Sequence, residues 1–295
     1  MDVLEYSSLQ DLIEYEWDIA LHGKHFDERD KEIKRFLQKS CKEIYSFCYD
    51  PNEMHSVLND EIIQLHDLSE SLKRFSQKKI VIDATSFDVS ELAILCTKFK
   101  DAEKKDFDII YAEPQEYSNE SSNGEKNFKL SESLLGFEDA GIPEISKAIP
   151  VDEPKIFIFF MGYEGDRFRN ALEISEISGK ECNLVFGVPA FKFGWDKNSL
   201  LSCSRTILEN NLQDAFLYCG ATNISGINRI LEKLRQKHHD HIFFLVPLGP
   251  KPMSIGAIKF LCSDSNTALL YDYPVRSANR SKGIASIHLA TGFLT

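Results

Sequence analysis

Three acids stand where apolar runs end: Asp83 after Ile80-Val81-Ile82, Glu113 after Phe107-Asp108-Ile109-Ile110-Tyr111, and Asp166 after residues 155–161. If those runs are strands of one sheet, their carboxylates can converge as general acid and base or hold a magnesium ion. The plainer role is local, with Asp83 and Asp166 capping the helices that follow and Glu113 solvated. A cationic counterpart lies at Gly249-Pro250-Lys251-Pro252-Met253, between the apolar run 242–247 and the helical pattern 254–261. Glycine admits close backbone approach, a helix N-terminus presents amides, and Lys251 adds a full charge, a combination that suits an anion and most often a phosphate. An ordinary tight turn with an exposed lysine is the other reading.

Two further segments could touch a polar ligand. Gly162-Tyr163-Glu164-Gly165-Asp166-Arg167 joins a strand pattern to a helix pattern, with Gly162, Glu164 and Arg167 as contacts and Asp166 as N-cap. Arg276, Asn279, Arg280, Ser281, Lys282 and Gly283 make a basic stretch in an acidic protein. Such a stretch can close over an anion, and its plainer role is a solvated loop. Consecutive βα units would bring it beside Gly249, Lys251 and Met253 at one sheet edge.

Other chemistries find little support. The G-x-x-x-x-G-K-[ST] spacing and the dinucleotide glycine fingerprint are both absent, the eight histidines show no H-E-x-x-H pattern, and no cofactor is identified. Ser86, Ser204 and Cys219 have no recognisable elbow or base partner. Trp195, in Phe191-Lys192-Phe193-Gly194-Trp195, can stack on a base, but packing is its commoner use.

The elements that must position these residues follow from the hydrophobic pattern. Strands are expected near Ile80, Phe107, Lys155, Asn183, Ala215, Ile242 and Ala268, alternating with amphipathic helices. Continuous apolar strands of this kind make a mainly parallel sheet covered on both faces, so residues 79–295 read as a Rossmann-like α/β domain. One sheet and two subdomains divided near 116–150 are both compatible with the sequence. Residues 1–78, with near-helical apolar spacing and only Pro51 and Gly23 as breakers, are expected to form a helical N-terminal lobe. The polar run 116–132 is expected to be a mobile loop.

The chain has 295 residues, of which 43% are hydrophobic, enough for one large core or two modest ones. The formal net charge of −12 argues against general nucleic-acid binding, which depends on neutralising phosphates. No apolar run approaches a bilayer span, and the start Met1-Asp2-Val3-Leu4-Glu5-Tyr6 lacks a basic, apolar leader. With seven scattered cysteines and no C-x-x-C pair, a cytoplasmic protein with reduced thiols is expected.

The run Phe244-Leu245-Val246-Pro247-Leu248-Gly249-Pro250-Lys251-Pro252-Met253-Ser254-Ile255-Gly256-Ala257, followed by Leu269-Leu270-Tyr271-Asp272-Tyr273, resembles the strand, Gly-Thr-Lys-x-Met turn, helix and strand of CRISPR-associated Rossmann-fold (CARF) sensor domains. The resemblance spans about 30 residues and departs at Pro250, where threonine is usual. It implies a cyclic oligoadenylate-type ligand near Gly249 and Lys251, a homodimer and an antiviral setting. The leading expectation is a regulatory or sensor protein that binds an anionic, nucleotide-like small molecule and relays occupancy to a protein partner through the N-terminal lobe. The alternatives are an enzyme acting on a nucleotide or phosphosugar through strand-end carboxylates, and a structural subunit of a larger complex.

Overall fold

A computed structural model describes residues 1–25, 27–104, 106–117, 130–134, 136–137, 141–175, 177–277 and 280–295. In chain order the elements begin β1 (Asp2–Tyr6), β2 (Trp17–His22), α1 (Glu28–Ser40), β3 (Cys41–Asp50), β4 (His55–Leu58), β5 (Glu61–Gln64) and α2 (Leu65–Leu72). They continue with β6 (Ile80–Asp83), α3 (Val89–Asp101), β7 (Asp108–Tyr117), β8 (Ser131–Leu134), β9 (Lys155–Phe160), α4 (Gly165–Ser175), β10 (Cys182–Gly187) and α5 (Asp196–Glu209). The chain then forms β11 (Phe216–Cys219), α6 (Ile224–Lys237), β12 (Ile242–Pro247), α7 (Lys251–Ser263), β13 (Thr267–Leu269), β14 (Pro274–Arg276) and β15 (Ser281–Thr291). It is a mixed α/β protein of two compact units, residues 1–118 with 277–295 and residues 119–276.

The first unit carries an eight-stranded sheet in the order β1-β15-β7-β6-β2-β3-β4-β5. Its centre, β7-β6-β2-β3, is parallel, and both flanks are antiparallel. From β2 the chain passes through α1 to β3 on one side, then returns to place β6 on the other side of β2. That reversal is a topological switch point. Asp27 caps α1 by accepting from the Arg29 amide at 3.0 Å, and Ile33 and Leu37 turn the helix's apolar stripe into a core with Val81, Ile110, Ile287 and Leu289. Asp88 caps α3, accepting from the Glu91 amide at 2.7 Å.

The expectation of a helical lobe over residues 1–78 is corrected. This stretch holds β1 to β5 as well as α1 and α2, and no division falls at 78/79, because β2 pairs with β6. The near-helical spacing read over residues 1–78 gives way at Ser40, where the chain becomes β3 without any glycine or proline to mark the change.

The second unit carries a five-stranded, all-parallel sheet in the order β11-β10-β9-β12-β13, and the short antiparallel pair β14-β8. Helix α4 packs with α5 and α6 with α7. The strands are apolar on both sides, as covered parallel strands must be: Phe157 and Phe159 of β9 join Leu184, Phe186, Phe244 and Val246 in one cluster, while Ile156, Ile158 and Phe160 are buried too. The switch point here lies between β9 and β12. Strand starts fall at Ile80, Asp108, Lys155, Cys182, Phe216, Ile242 and Thr267, within a residue of the sequence expectation. Of the polar run 116–132, Glu116 and Tyr117 end β7 and Ser131 and Glu132 begin β8, while 118–129 lie outside the described residues. Ser281 pairs with Tyr117, so the second unit is inserted in sequence between two neighbouring antiparallel strands of the first.

Candidate functional site

In the second unit the loops after β9 and β12 meet at the switch point. A Cβ on Gly162 would stand 2.0 Å from the Leu248 carbonyl oxygen, and one on Gly249 would stand 2.7 Å from that of Met161. Both glycines are thus required by the approach of two backbones. Lys251 opens α7 and is half-buried. The helix start is poorer in amides than its position suggests: Pro252 has no N–H, and the Met253 amide donates to the Pro250 carbonyl at 3.0 Å. A ligand there would lean on the charge of Lys251. Met253 is corrected from contact residue to core residue, being wholly buried.

The loop between β9 and α4 is tied inward. Arg167 donates from Nε and Nη2 to the two carboxylate oxygens of buried Asp272, each at 2.6 Å. Burial works against the guanidinium charge, and Asp272 outweighs it, holding Arg167 above its ordinary value. Glu164 accepts from the amides of Leu130 and Ser131 at 3.0 and 2.8 Å and from the Ser131 hydroxyl at 2.9 Å. Asp166 lies inside the first turn of α4 and does not cap it; its side chain is 81% exposed and pairs with Arg169 at 2.8 Å. Trp195 is buried against the edge of Tyr163, ring centroids 6.2 Å apart, with the Lys192 ammonium 5.8 Å from its centroid. Arg276 ends β14 within this unit, whereas Arg280 and Lys282 belong to the first, Lys282 exposed on β15 opposite Glu116. Asn279 lies outside the described residues.

In the first unit the loops after β2 and β6 meet in the same manner, the Gly23 amide donating to Ser86 Oγ at 2.8 Å. Here the surroundings are acidic. Asp83 is completely buried; its Oδ1 accepts from the Thr85 amide at 3.0 Å, and its Oδ2 has no hydrogen-bond partner. Burial, reinforced by the charge of Asp30, pushes the Asp83 carboxyl up to about 7. The capping role expected of Asp83 belongs to Asp88.

Asp30 and Asp27 come from the start of α1. The Asp27 amide donates to Asp30 Oδ2 at 3.1 Å, while Asp27 Oδ2 accepts from Arg29 Nη2 at 2.8 Å and from the Ser281 hydroxyl. Burial works to raise the Asp27 carboxyl, but Arg29 and Ser281 outweigh it and hold it below its usual range. Arg29 also donates to the Ala112 carbonyl at 2.7 Å.

Glu113 is corrected too: it lies within β7, buried. Its Oε2 is 2.9 Å from His288 Nε2 and 3.1 Å from Ser286 Oγ, and that hydroxyl is itself 3.1 Å from the same imidazole nitrogen. A nucleophile relay needs serine and acid on opposite ring nitrogens. With both on Nε2 the trio is a hydrogen-bonded clasp between β7 and β15, not an activated serine. Burial also pushes the Cys41 and Cys182 thiols up to about 12, away from the thiolate a nucleophile requires.

Of the three acids read from sequence, Asp83 and Glu113 share a unit but have separate partners, and Asp166 belongs to the other unit. Sequence reading missed Asp27, Arg29, Asp30, Ser286 and His288, and placed Ser281 in a ligand-closing stretch, not against Asp27. The D-x-R-D run opening α1 and the alternating Ser286-x-His288 of the last strand were the available signals. Among the described residues no group of three or more acids, histidines and cysteines is arranged to hold a metal, and no helix is long and apolar enough to cross a membrane. No protein-family model matches the chain, and no curated protein matches it.

Proposed function

We propose that the chain is a regulatory protein whose second unit, read as Rossmann-like, recognises an anionic, nucleotide-like small molecule at the carboxyl edge of its parallel sheet. One observation carries this reading: the order β11-β10-β9-β12-β13 puts the loops opening α4 and α7, with Lys251 at the start of α7, side by side at a switch point. Open parallel sheets take ligands there, where helix N-termini favour negative charge. Tyr163, half-buried on the loop after β9 and backed by buried Trp195, offers aromatic surface for a base. Recognition of a cyclic oligoadenylate in antiviral defence, and a homodimer, extend the reading through the CARF resemblance, and the output to a protein partner passes to the mixed first unit in place of a helical lobe.

Isothermal titration against cyclic oligoadenylates, mononucleotides and sugar phosphates tests it. One class should bind, more weakly at raised salt, and Lys251→Ala should weaken it by about 1–3 kcal/mol, the range for a charge-assisted hydrogen bond. Silence from all three classes would remove the reading; binding indifferent to Lys251→Ala would move the site. A second reading, an enzyme using strand-end carboxylates, draws on Asp83, whose carboxyl is held at about 7, where acid–base chemistry operates. Chromatographic detection of product from any bound ligand, lost in Asp83→Asn, would favour it.

A further inference from the structure

Among the described residues, Phe193 is the large apolar side chain most open to water, at 103% exposure. It does not stand on a loose loop. Phe193 and Gly194 form the tip of a four-residue turn closed by the Trp195 amide, which donates to the Lys192 carbonyl at 3.0 Å. Gly194 takes a φ of +83°, which glycine adopts without strain. The segment is rooted on either side of that tip. The Val188 amide donates to the Cys219 carbonyl at 2.8 Å and the Ala221 amide to the Pro189 carbonyl at 2.9 Å, while buried Trp195 packs against the edge of Tyr163. Trp195 thus supplies the packing, and the Phe193 ring is presented to solvent.

This turn stands at the edge of the sheet where the anion site was placed. It follows β10, which pairs with β9, and Tyr163 lies on the loop after β9. A Cβ on Gly187, the last residue of β10, would stand 3.6 Å from Met253 Sδ, so the root of the loop lies against the first turn of α7, which Lys251 opens. Residues 188–201 carry two exposed lysines, Lys192 and Lys197, and one acid, Asp196, in a chain of net charge −12. An exposed ring flanked by ammonium groups suits a nucleotide on two counts: every base has a face that stacks on an aromatic side chain, and its phosphate meets the positive charge. A sugar phosphate would use the charges alone.

We propose that Phe193 is the base-stacking residue of the second unit's anion site, and that the ligand is a nucleoside phosphate which this ring selects over sugar phosphates. The proposal rests on the ligand reading above and adds the residue that sets the ligand's class.

The test uses the full chain and two probes that differ in the base, adenosine monophosphate and ribose 5-phosphate, each titrated calorimetrically. Wild type should bind the nucleotide more tightly. Phe193→Ala should weaken the nucleotide by about 5- to 150-fold, the range for losing one stacked base, and leave ribose 5-phosphate unchanged, so that the two affinities converge. Phe193→Trp should keep the preference, and its added emission should be quenched by the nucleotide and not by the sugar phosphate. Because the ring is exposed, Phe193→Ala should unfold in urea at the wild-type midpoint; should it lose stability, the quenching of Phe193→Trp decides. Binding of both probes in a ratio that Phe193→Ala does not change would leave the ligand reading standing and overturn the proposal, as would equal affinity of the wild type for the two. Binding of neither would remove the reading and the proposal together.

Discussion

In the first unit the backbone at Gly23 meets Ser86; in the second, Gly162 meets the Leu248 carbonyl. Both contacts sit where a parallel sheet reverses its winding, and both bring two loops close enough that a side chain has little or no room. What surrounds them differs. Among the described residues, Asp27, Asp30 and Asp83 of the first unit are buried at 4%, 1% and 0% exposure, with Asp27 paired to Arg29, whereas in the second unit Lys251 is half-buried and Arg167 is paired with Asp272. The same topology thus buries carboxylates in one unit and leaves Lys251 half-buried at the start of α7 in the other.

The largest effect should come from breaking the second unit's internal charge pair. Asp272→Ala leaves Arg167 buried without its bidentate partner and should cost about 3–5 kcal/mol in urea unfolding. A smaller loss would mean that Glu164, whose Oε2 is 3.7 Å from Arg167 Nη1, takes up the charge.

Next in size is the pH dependence of the first unit, where two acids work in opposite directions. Asp83 is raised from 3.8 to about 7, so its contribution is complete below the unfolded value and is lost as pH rises through about 7. From about pH 5 to about pH 8 this amounts to roughly 3 kcal/mol, at about 1.4 kcal/mol per unit. Asp27 is lowered, so its contribution is present above the ordinary carboxylate range and is lost as pH falls. Unfolding free energies across pH should therefore decline on both limbs, with Asp83→Asn flattening only the neutral limb and Asp27→Asn only the acid one. A single limb affected by both substitutions would show that the acids titrate as one coupled set.

How much of this was legible in the sequence depended on burial. Lys155 to Phe160 and Ile242 to Pro247 are apolar at nearly every position because both faces are covered, and their strands and turns could be placed to within a residue. Strand β3 could not: Cys-Lys-Glu-Ile-Tyr-Ser-Phe-Cys-Tyr-Asp carries three charged residues, and its burial is confined to Phe47 and Tyr49. The alternation of Tyr45, Phe47 and Tyr49 was the signal, masked by the helical spacing of α1 immediately before it. The site divides likewise. Asp83 was visible as an acid ending an apolar run, but Asp30, whose charge raises its carboxyl, lies a helix and three strands earlier in the chain, beyond the reach of a local pattern.

A smaller effect should separate the two loop contacts. Gly162→Ala places a methyl 2.0 Å from the Leu248 carbonyl oxygen, so backbone must move; at Gly23 the nearest atoms are the buried Phe87 ring and the Ser86 carbonyl oxygen, both at 2.8 Å, a smaller overlap. Overpacking costs about 1–3 kcal/mol and more where backbone must yield, so Gly162→Ala should fall at or above the top of that range and Gly23→Ala within it. Equal losses would mean that the Ser86 backbone is as unyielding as that of Leu248.

The smallest change is expected from the largest alteration. Because Ser281 lies opposite Tyr117 in the β7–β15 pairing, the chain leaves the first unit and re-enters it at the same end of one antiparallel ribbon. Replacing residues 118–280 with a short turn containing Asn-Gly should therefore close an ordinary hairpin, since that dipeptide supplies the positive φ angles that match strand twist. The core of Ile33, Leu37, Val81, Ile110, Ile287 and Leu289 stays whole, as does the clasp of Glu113, Ser286 and His288, and Ser281 keeps its place against Asp27. A unit with its own core can fold alone. The shortened protein should unfold in one cooperative step and keep the neutral-pH limb assigned to Asp83. It should lose all binding of the anionic ligand, because Lys251 is gone. If the shortened protein still bound that ligand, the recognition site would belong to the first unit, and the division of labour between the two crevices would have to be reversed.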